Sequence, residues 1–519
     1  MDFVGDPDGG WRHMRGWCPL RSALRMHSFL AARVEQREYM RTARSPSESV
    51  ESPASIKGTL ESPCGPRYGR PSDRFGPPTA LFSRALALLK KDLDHLDAFM
   101  PTPLFAKSAF SFISHAAGLY IDEARRQEFL RESLNDLLQG KGRWQTQLAG
   151  GSAKPDGVWM EGLFAYLIIE MKNEPGLGGD PLLRGLVVYS KIVGHEEVLP
   201  FPPVLFTPLR CPKQYAQFLG QSNLPVVLLA IAGNRLVIST AIYTDSIYAD
   251  EVLSVKLYLG PHASDNVLRV ARIFMAINKC TERLRRLYVN LKPDTHSMQP
   301  AKVLWPNPTL DSPSPEIPGL EFFSKVDRSL GTPIKQTDIN EENKRHAIYL
   351  ARMRVKGSTL TTDVLVKFAV KYNMVAHRLL AEHEPPLAPV LHSCAPVIGD
   401  MYMVVMQYIP DASLLNASLP LPAPNLEAVR RDIKQALDLL HAQDLVFGDL
   451  REANVLYLPE GGGRALLVDF DGVGRHGKDR YSACLNPDVG LGVDGFQVMK
   501  KSHDIQNFEK LMERLSGEF

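Results

Sequence analysis

Two stretches of this chain carry residue types whose spacing can do chemistry. The longer reads Leu445-Val-Phe-Gly-Asp449-Leu-Arg451-Glu-Ala-Asn454-Val-Leu-Tyr-Leu, then Pro-Glu-Gly-Gly-Gly, then Arg-Ala-Leu-Leu-Val-Asp469-Phe-Asp471. The pattern predicts an amphipathic helix delivering a loop with Asp449, a strand headed by Asn454, a glycine-rich turn, and a returning strand that ends at Asp469. Such a hairpin brings Asn454 and Asp469 together at one end, with Asp449 nearby. An amide oxygen and carboxylates so placed suit a Mg²⁺ ion that keeps several waters and bridges nucleotide phosphates.

The second stretch is Lys154-Pro-Asp156-Gly157, followed by Ile168-Ile-Glu170-Met171-Lys172. Side chains alternate along a strand, so Glu170 and Lys172 share a face. If the strand carrying Asp156 pairs alongside, two carboxylates and a lysine converge. That set suits metal-assisted phosphodiester hydrolysis, with Asp156, Glu170 and the Met171 carbonyl holding Mg²⁺ and Lys172 stabilising the attacking hydroxide. An Asp156–Lys172 salt bridge at a strand end is the alternative.

The elements that must position these groups follow from periodicity. Residues 1–78 are rich in Arg, Ser, Pro and Gly with weak apolar periodicity, which predicts a disordered leader. Over 79–300 the pattern predicts helices at 80–99 and 121–139, strands at 144–149, 154–160 and 165–173, and a helix at 181–193. Strands at 225–232 and 235–243 around Gly233-Asn234 and a long helix at 266–290 complete this unit. Residues 301–319 read as a proline-rich linker. From 320 to 519 strands are expected at 346–354, 361–370, 389–393 and 401–408, with helices at 371–384 and 425–441. Asn425 is the expected N-cap of the last, whose Leu426, Val429, Ile433, Leu437 and Leu440 form a core face.

Composition narrows the class. In 519 residues, 60 Lys and Arg against 58 Asp and Glu give a net charge of +2, so no global basic excess points to nucleic acid or membrane. A local basic groove stays open, but the arginines of 266–290 read as a solvated face. The six cysteines form no CxxC pair, which implies reduced thiols in an intracellular protein of the cytoplasm or nucleus. Unconventional export as an effector stays open. The apolar run Leu224–Ala232 falls well short of the ~20 residues that span a bilayer, so no membrane span is expected.

The C-terminal stretch resembles the protein-kinase superfamily. Its catalytic loop D-x-x-x-x-N matches Asp449 and Asn454, and its metal-binding D-F-G matches Asp469-Phe470. Val364-Leu-Val-Lys367-Phe resembles the strand whose lysine holds the α- and β-phosphates, and Met401–Tyr408 the strand leading into the hinge. His503-Asp504 resembles the helix whose aspartate braces the catalytic loop. Together these elements resemble the fungal kinase-like domains attached to crinkler-type and similar effector proteins. The resemblance implies ATP and Mg²⁺ as cofactors, Asp449 as general base, Asn454 and Asp469 as Mg²⁺ ligands, Lys367 on the phosphates, and Arg451 on the transferring group. There are departures. No G-x-G-x-x-G precedes Lys367, Gly331 and Gly357 being isolated. Glu382 is the candidate helix partner of Lys367. The usual H-R-D reads Phe447-Gly448-Asp449, as in small-molecule kinases of the aminoglycoside or choline type, and D-F-G reads Asp469-Phe470-Asp471.

The N-terminal stretch resembles the PD-(D/E)XK nuclease superfamily over about residues 120–250. The helix at 179–189 would cross the sheet, and Glu132 would offer a further metal contact. The expected architecture is therefore α+β: a disordered leader, an α/β restriction-endonuclease-like domain, and a two-lobed protein-kinase-like domain. The expected function is ATP- and Mg²⁺-dependent phosphoryl transfer to a hydroxyl of a protein Ser/Thr or a small molecule, with DNA or RNA as a partner of the N-terminal domain. A nuclease with a regulatory pseudokinase, or a non-catalytic interaction module, are the alternatives.

Overall fold

The structure, a computed structural model, describes residues 36–62, 64–140, 142–174, 179–195, 221–291, 302–311, 319–327, 341–354, 360–415, 421–459, 463–483, 485 and 492–516. It is a mixed α/β protein. The first unit runs α1 (Pro46–Ser49), α2 (Pro53–Glu61), α3 (Arg84–Asp94), α4 (Pro103–Ala116), α5 (Glu123–Leu137), β1 (Arg143–Trp144), β2 (Gly157–Glu161), β3 (Phe164–Lys172), α6 (Pro181–Gly194), β4 (Val226–Ala232), β5 (Arg235–Tyr243), β6 (Ile247–Lys256) and α7 (Ala263–Val289). Its six strands lie in the order β1-β2-β3-β4-β5-β6. Only β3 and β4 pair in parallel, as a strand–helix–strand crossover through α6 requires. The central strands β3 and β4 are buried almost end to end, which explains their unbroken apolar runs.

The described part of the expected leader is folded. Ser45 and Ser52 cap α1 and α2 by accepting the backbone N–H three residues on. Val50 and Leu60 then pack on Leu183 and Val187 of α6. Polar bonds add to this: Arg37 Nε donates to the Val193 carbonyl at 3.0 Å, and Lys191 Nζ to that of Arg41 at 3.0 Å. This segment is fastened by caps and side-chain-to-backbone bonds, which leave little apolar periodicity to read. Residues 1–35 lie outside the described residues.

The second unit runs β7 (Leu320–Lys325), α8 (Glu341–Arg345), β8 (Ile348–Arg354), β9 (Thr361–Ala369), α9 (Met374–Ala381), β10 (Leu391–Val397), β11 (Met401–Gln407), β12 (Ser413–Leu414), α10 (Ala423–Ala442), β13 (Leu445–Val446), β14 (Val455–Leu458), β15 (Arg464–Leu467), β16 (Gly474–Arg475) and α11 (Lys501–Ser516). Five strands form an antiparallel sheet in the order β10-β11-β9-β8-β7. Beyond β11 the chain is mainly helical, with the small ladders β12-β14-β15 and β13-β16. Helix α10 begins two residues before the expected cap, and Asn425 instead donates to the Tyr457 hydroxyl at 2.6 Å. Its apolar face is buried as expected: Val429, Ile433, Leu437 and Leu440 join Phe447, Phe470 and Leu511 in one core.

A second core is shared between the units. It continues from the six-stranded sheet through Leu304 and Trp305 to Tyr349, Phe368 and Val397 of the five-stranded sheet. The described part of the expected linker is thus pinned: Trp305 stands edge-on to Tyr349 at 6.4 Å, and Asn307 N donates to the Leu81 carbonyl at 2.7 Å. A buried polar contact reinforces the junction. Burial opposes the charges of Asp245, after β5, and Lys325, at the end of β7; Lys325 and other partners outweigh it at Asp245, whereas at Lys325 burial prevails over the pull of Asp245 and holds the pKa below its ordinary value. The arginines of α7 are taken up by carboxylates, Arg272 by Asp97 at 2.7 Å and Arg283 by Asp92 at 3.0 Å. Among the described residues no helix is long and apolar enough to cross a membrane.

Because Trp305 fills the junction of two sheets, Trp305→Ala is expected to cost about 3 kcal/mol of stability through lost burial and the cavity left behind. Urea unfolding checks this, and a loss under ~1 kcal/mol would show that the segment packs only loosely.

Candidate functional site

The cleft between the five-stranded sheet and the helical part is lined by apolar Ile348, Leu365, Met406, Leu456 and Val468, and ends at Lys367, Asn454 and Asp469. Lys367, on β9, is 12% exposed; its Nζ lies 2.6 Å from Asp469 Oδ1 and 2.7 Å from Asp471 Oδ2. Burial alone would pull the ammonium pKa down, but the two carboxylates outweigh it and hold the pKa above its ordinary value. Burial likewise pushes Asp471 up to about 7, helped by Asp469 and opposed by Lys367. Asp469 sits at φ +68°, in the left-handed region that side chains disfavour.

Asp504 on α11 organises the loop beneath. Its Oδ2 accepts Phe447 N–H at 2.8 Å and lies 2.9 Å from His441 Nε2, while Oδ1 accepts Gly448 N–H at 2.9 Å. Gly448 adopts φ +79°, and a Cβ there would meet the Gly472 carbonyl oxygen at 2.8 Å, so glycine is the residue this turn accepts. Asn454 Nδ2 donates to the Asp449 carbonyl at 2.8 Å and to its Oδ2 at 2.7 Å. Arg451 Nε stands 3.0 Å from Asp449 Oδ1 on the other side. The expected residues Asp449, Arg451 and Asn454 thus meet in one cluster, as Lys367 and Asp469 do beside them.

A column of rings joins the loop to the sheet. Phe470 stacks on His377 at 4.5 Å and 9°, with Phe447 edge-on at 5.8 Å and Tyr372 at 6.1 Å. His377, on α9, is fully buried; its Nδ1 is 2.7 Å from the Tyr372 hydroxyl and its Nε2 2.8 Å from the Pro389 carbonyl. Desolvation pulls its pKa down to about 4, the Pro389 carbonyl opposing. Glu382 is a correction: it is the exposed C-cap of α9 and does not reach Lys367, whose carboxylate partners are Asp469 and Asp471. The visible signal for Asp471 was the acidic residue after Phe470 itself. Gly331 and Gly357 lie outside the described residues.

In the first unit Asp156, Glu170 and Lys172 lie at one end of the β2–β3 pair. Asp156 Oδ2 accepts Met171 N–H at 2.7 Å and Oδ1 accepts Gln145 Nε2 at 2.9 Å. Glu170 is 1% exposed, and neither oxygen accepts a hydrogen bond among the described residues. Arg184 Nε of α6 forms an ion pair with it at 3.0 Å. Full burial raises the Glu170 pKa well above the ordinary range, and the neighbouring Asp156 adds to this; burial also raises Asp156. Lys172 pairs with Glu123, at 2.9 Å, and no ion pair joins it to Asp156. Glu132 is a second correction: it is exposed, and the acidic residue that α5 sends to the site is Glu123 in its first turn.

Asp156 and Glu170 offer hard oxygens of the kind a divalent cation takes, but Arg184 already stands 3.0 Å from Glu170 Oε2. No group of three His, Cys, Asp or Glu side chains able to hold a metal occurs among the described residues. No protein-family model matches the chain and no curated protein is similar to it. Among solved structures it is similar to the Cydia pomonella granulovirus kinase PK-1, at 18% identity and a TM-score of 0.28, over 38% of this chain and 69% of that one. A likeness of that degree carries no argument of its own.

The neutral His377 sets a pH dependence. Its folded pKa lies below the unfolded one, so its contribution is complete above about pH 6.5 and is lost as pH falls towards about 4. The loss amounts to about 3 kcal/mol. Chemical denaturation at several pH values checks this, with His377→Phe expected to flatten the slope in that window.

Proposed function

We propose that the second unit binds ATP with Mg²⁺ and transfers the terminal phosphoryl group to a hydroxyl acceptor, in the manner of the protein-kinase superfamily. The observation that carries the reading is convergence. Lys367 from the sheet, Asp449 and Asn454 from one loop, and Asp469 from the returning strand gather at one end of an apolar cleft. In this reading Lys367 engages the α- and β-phosphates, while Asn454 and Asp469 hold the cation. Asn454 fits that role because its Nδ2 is committed to Asp449, so that its Oδ1 is the atom that would face a cation. Bound Mg²⁺ neutralises charge developing on the phosphates. Asp449 accepts the proton of the attacking hydroxyl, and Arg451 and Asn454 fix its carboxylate for that task. Without an arginine at Gly448, no activation-loop phosphate is called on to order the site. The acceptor is a protein Ser/Thr or a small-molecule hydroxyl.

A second activity is favoured by one observation in the first unit. Glu170 is a buried carboxylate whose oxygens accept no hydrogen bond among the described residues, beside a second carboxylate at the mouth of a β-pair. Metal-dependent phosphodiester cleavage is the chemistry for which Asp156, Glu170 and Lys172 are suited, with DNA or RNA as substrate. Lys172, held by Glu123, would stabilise the attacking oxygen.

MgATP is expected to raise the melting temperature of the full chain, corresponding to about 2.7 kcal/mol at a hundredfold excess over Kd. Asp469→Asn should lose the Mg²⁺-dependent part of that shift. Asp449→Ala should keep the shift while phosphate transfer falls by about 10²–10⁴-fold. No shift in the wild type would leave the cleft a non-catalytic fold.

For the first unit, wild-type protein should cut DNA or RNA in Mg²⁺ or Mn²⁺ and Glu170→Gln should not. Equal cutting by both would place the centre elsewhere.

A further inference from the structure

The sequence departs from the kinase pattern where Asp471 replaces glycine, and the structure gives that residue a task. We propose that Asp471 is the carboxylate that holds Lys367 on the nucleotide phosphates, the task a glutamate of the neighbouring helix would otherwise perform; this rests on the nucleotide-binding reading above.

Three observations lead there. The first is that α9, Met374–Ala381, contains no acidic residue. Its one acidic neighbour at the C-terminal end, Glu382, is exposed. At the other end Asn373 is spent as the N-cap: its Oδ1 accepts Ala376 N–H at 3.0 Å, and its own N–H donates to the Phe470 carbonyl at 3.2 Å. The helix that follows the lysine strand therefore has no carboxylate to offer Lys367.

The second is the alternation around Phe470. That ring is buried in the column with His377 and Phe447, and the residues on either side of it both turn to Lys367, Asp469 at 2.6 Å and Asp471 at 2.7 Å. Packing of one ring thereby fixes two carboxylates on one ammonium. The next residue, Gly472, lies close against Asp449, where a Cβ would stand 3.3 Å from that of Asp449.

The third is division of labour. A cation held by Asp469 would compete with Lys367 for the same carboxylate, and the ammonium would then need a second anion to hold its place. Asp471 Oδ2, 2.7 Å from Nζ, would keep the ammonium aimed if Asp469 were given over to the metal. The other oxygen of Asp471 is buried and has no hydrogen-bond partner among the described residues, so the Lys367 contact is the one that engages this carboxylate's Oδ2.

The test uses the full chain and compares two probes, MgATP and adenosine, by calorimetry or fluorescence titration. Adenosine fills the apolar slot but has no phosphate for Lys367 to hold. Asp471→Asn and Asp471→Gly are each expected to weaken MgATP binding about tenfold or more, since a charge-assisted contact is lost, and to leave adenosine within about twofold. Asp471→Glu should recover most of the loss. In a Lys367→Ala background, Asp471→Gly should change MgATP binding less than twofold, the signature of two residues acting as one unit.

A glycine variant that binds MgATP as well as the wild type would overturn the assignment while leaving the nucleotide site standing. So would a loss shared by adenosine, which would make Asp471 a structural residue only. Failure of the wild type to bind MgATP would remove both readings together.

Discussion

A buried carboxylate must be satisfied, and in this protein the satisfaction of Asp504 sets much of the rest. The group is fully buried on α11, and its charge is met by two consecutive backbone N–H groups and the His441 imidazole. Two neighbouring amides converge on one acceptor only where the chain turns through a left-handed residue, and Gly448 supplies it. That turn sends Phe447 inward, where it meets Phe470, and Phe470 in turn fixes Asp469 and Asp471 around Lys367. The cleft is thus assembled from its floor upward, and its polar end inherits its geometry from a helix at the far end of the chain.

Much of this was legible because local pattern and tertiary need agree. The residues Lys367, Asp449, Asn454 and Asp469 sit on short elements whose ends are marked by apolar runs and glycines, and a hairpin leaves little choice about which ends meet. Asp471 read as a loss, since a single acidic residue in place of glycine says nothing about which distant group lacks a partner. Glu382 failed for a related reason: whether a helix points a given side chain at the sheet depends on where its first turn begins, and the cap at Asn373 starts α9 too late. Glu132 and Glu123 differ by nine residues, about two and a half turns, so they stand on opposite faces of α5 and only one can reach the site.

The two candidate sites handle charge in contrasting ways. Around Lys367 each charge has an opposite neighbour, and the column of rings beneath is fixed by aromatic packing. Around Glu170 the balance is unequal. Two carboxylates raised by burial face Arg184, while Lys172 is drawn off by Glu123. The first arrangement is closed until a ligand exchanges with a carboxylate. In the second, Arg184 is the positive charge that both carboxylates share.

The junction of Asp245 with Lys325 carries a consequence for modularity. Lys325 ends the first strand of the five-stranded sheet, and the next residues, Val326 and Asp327, already line the cleft. Its counter-charge belongs to the other unit, as does half of the core around Trp305. The two units are therefore not interchangeable cassettes: a fragment beginning at residue 320 would inherit a buried ammonium without its anion and a sheet without its backing, right at the rim of its own ligand site.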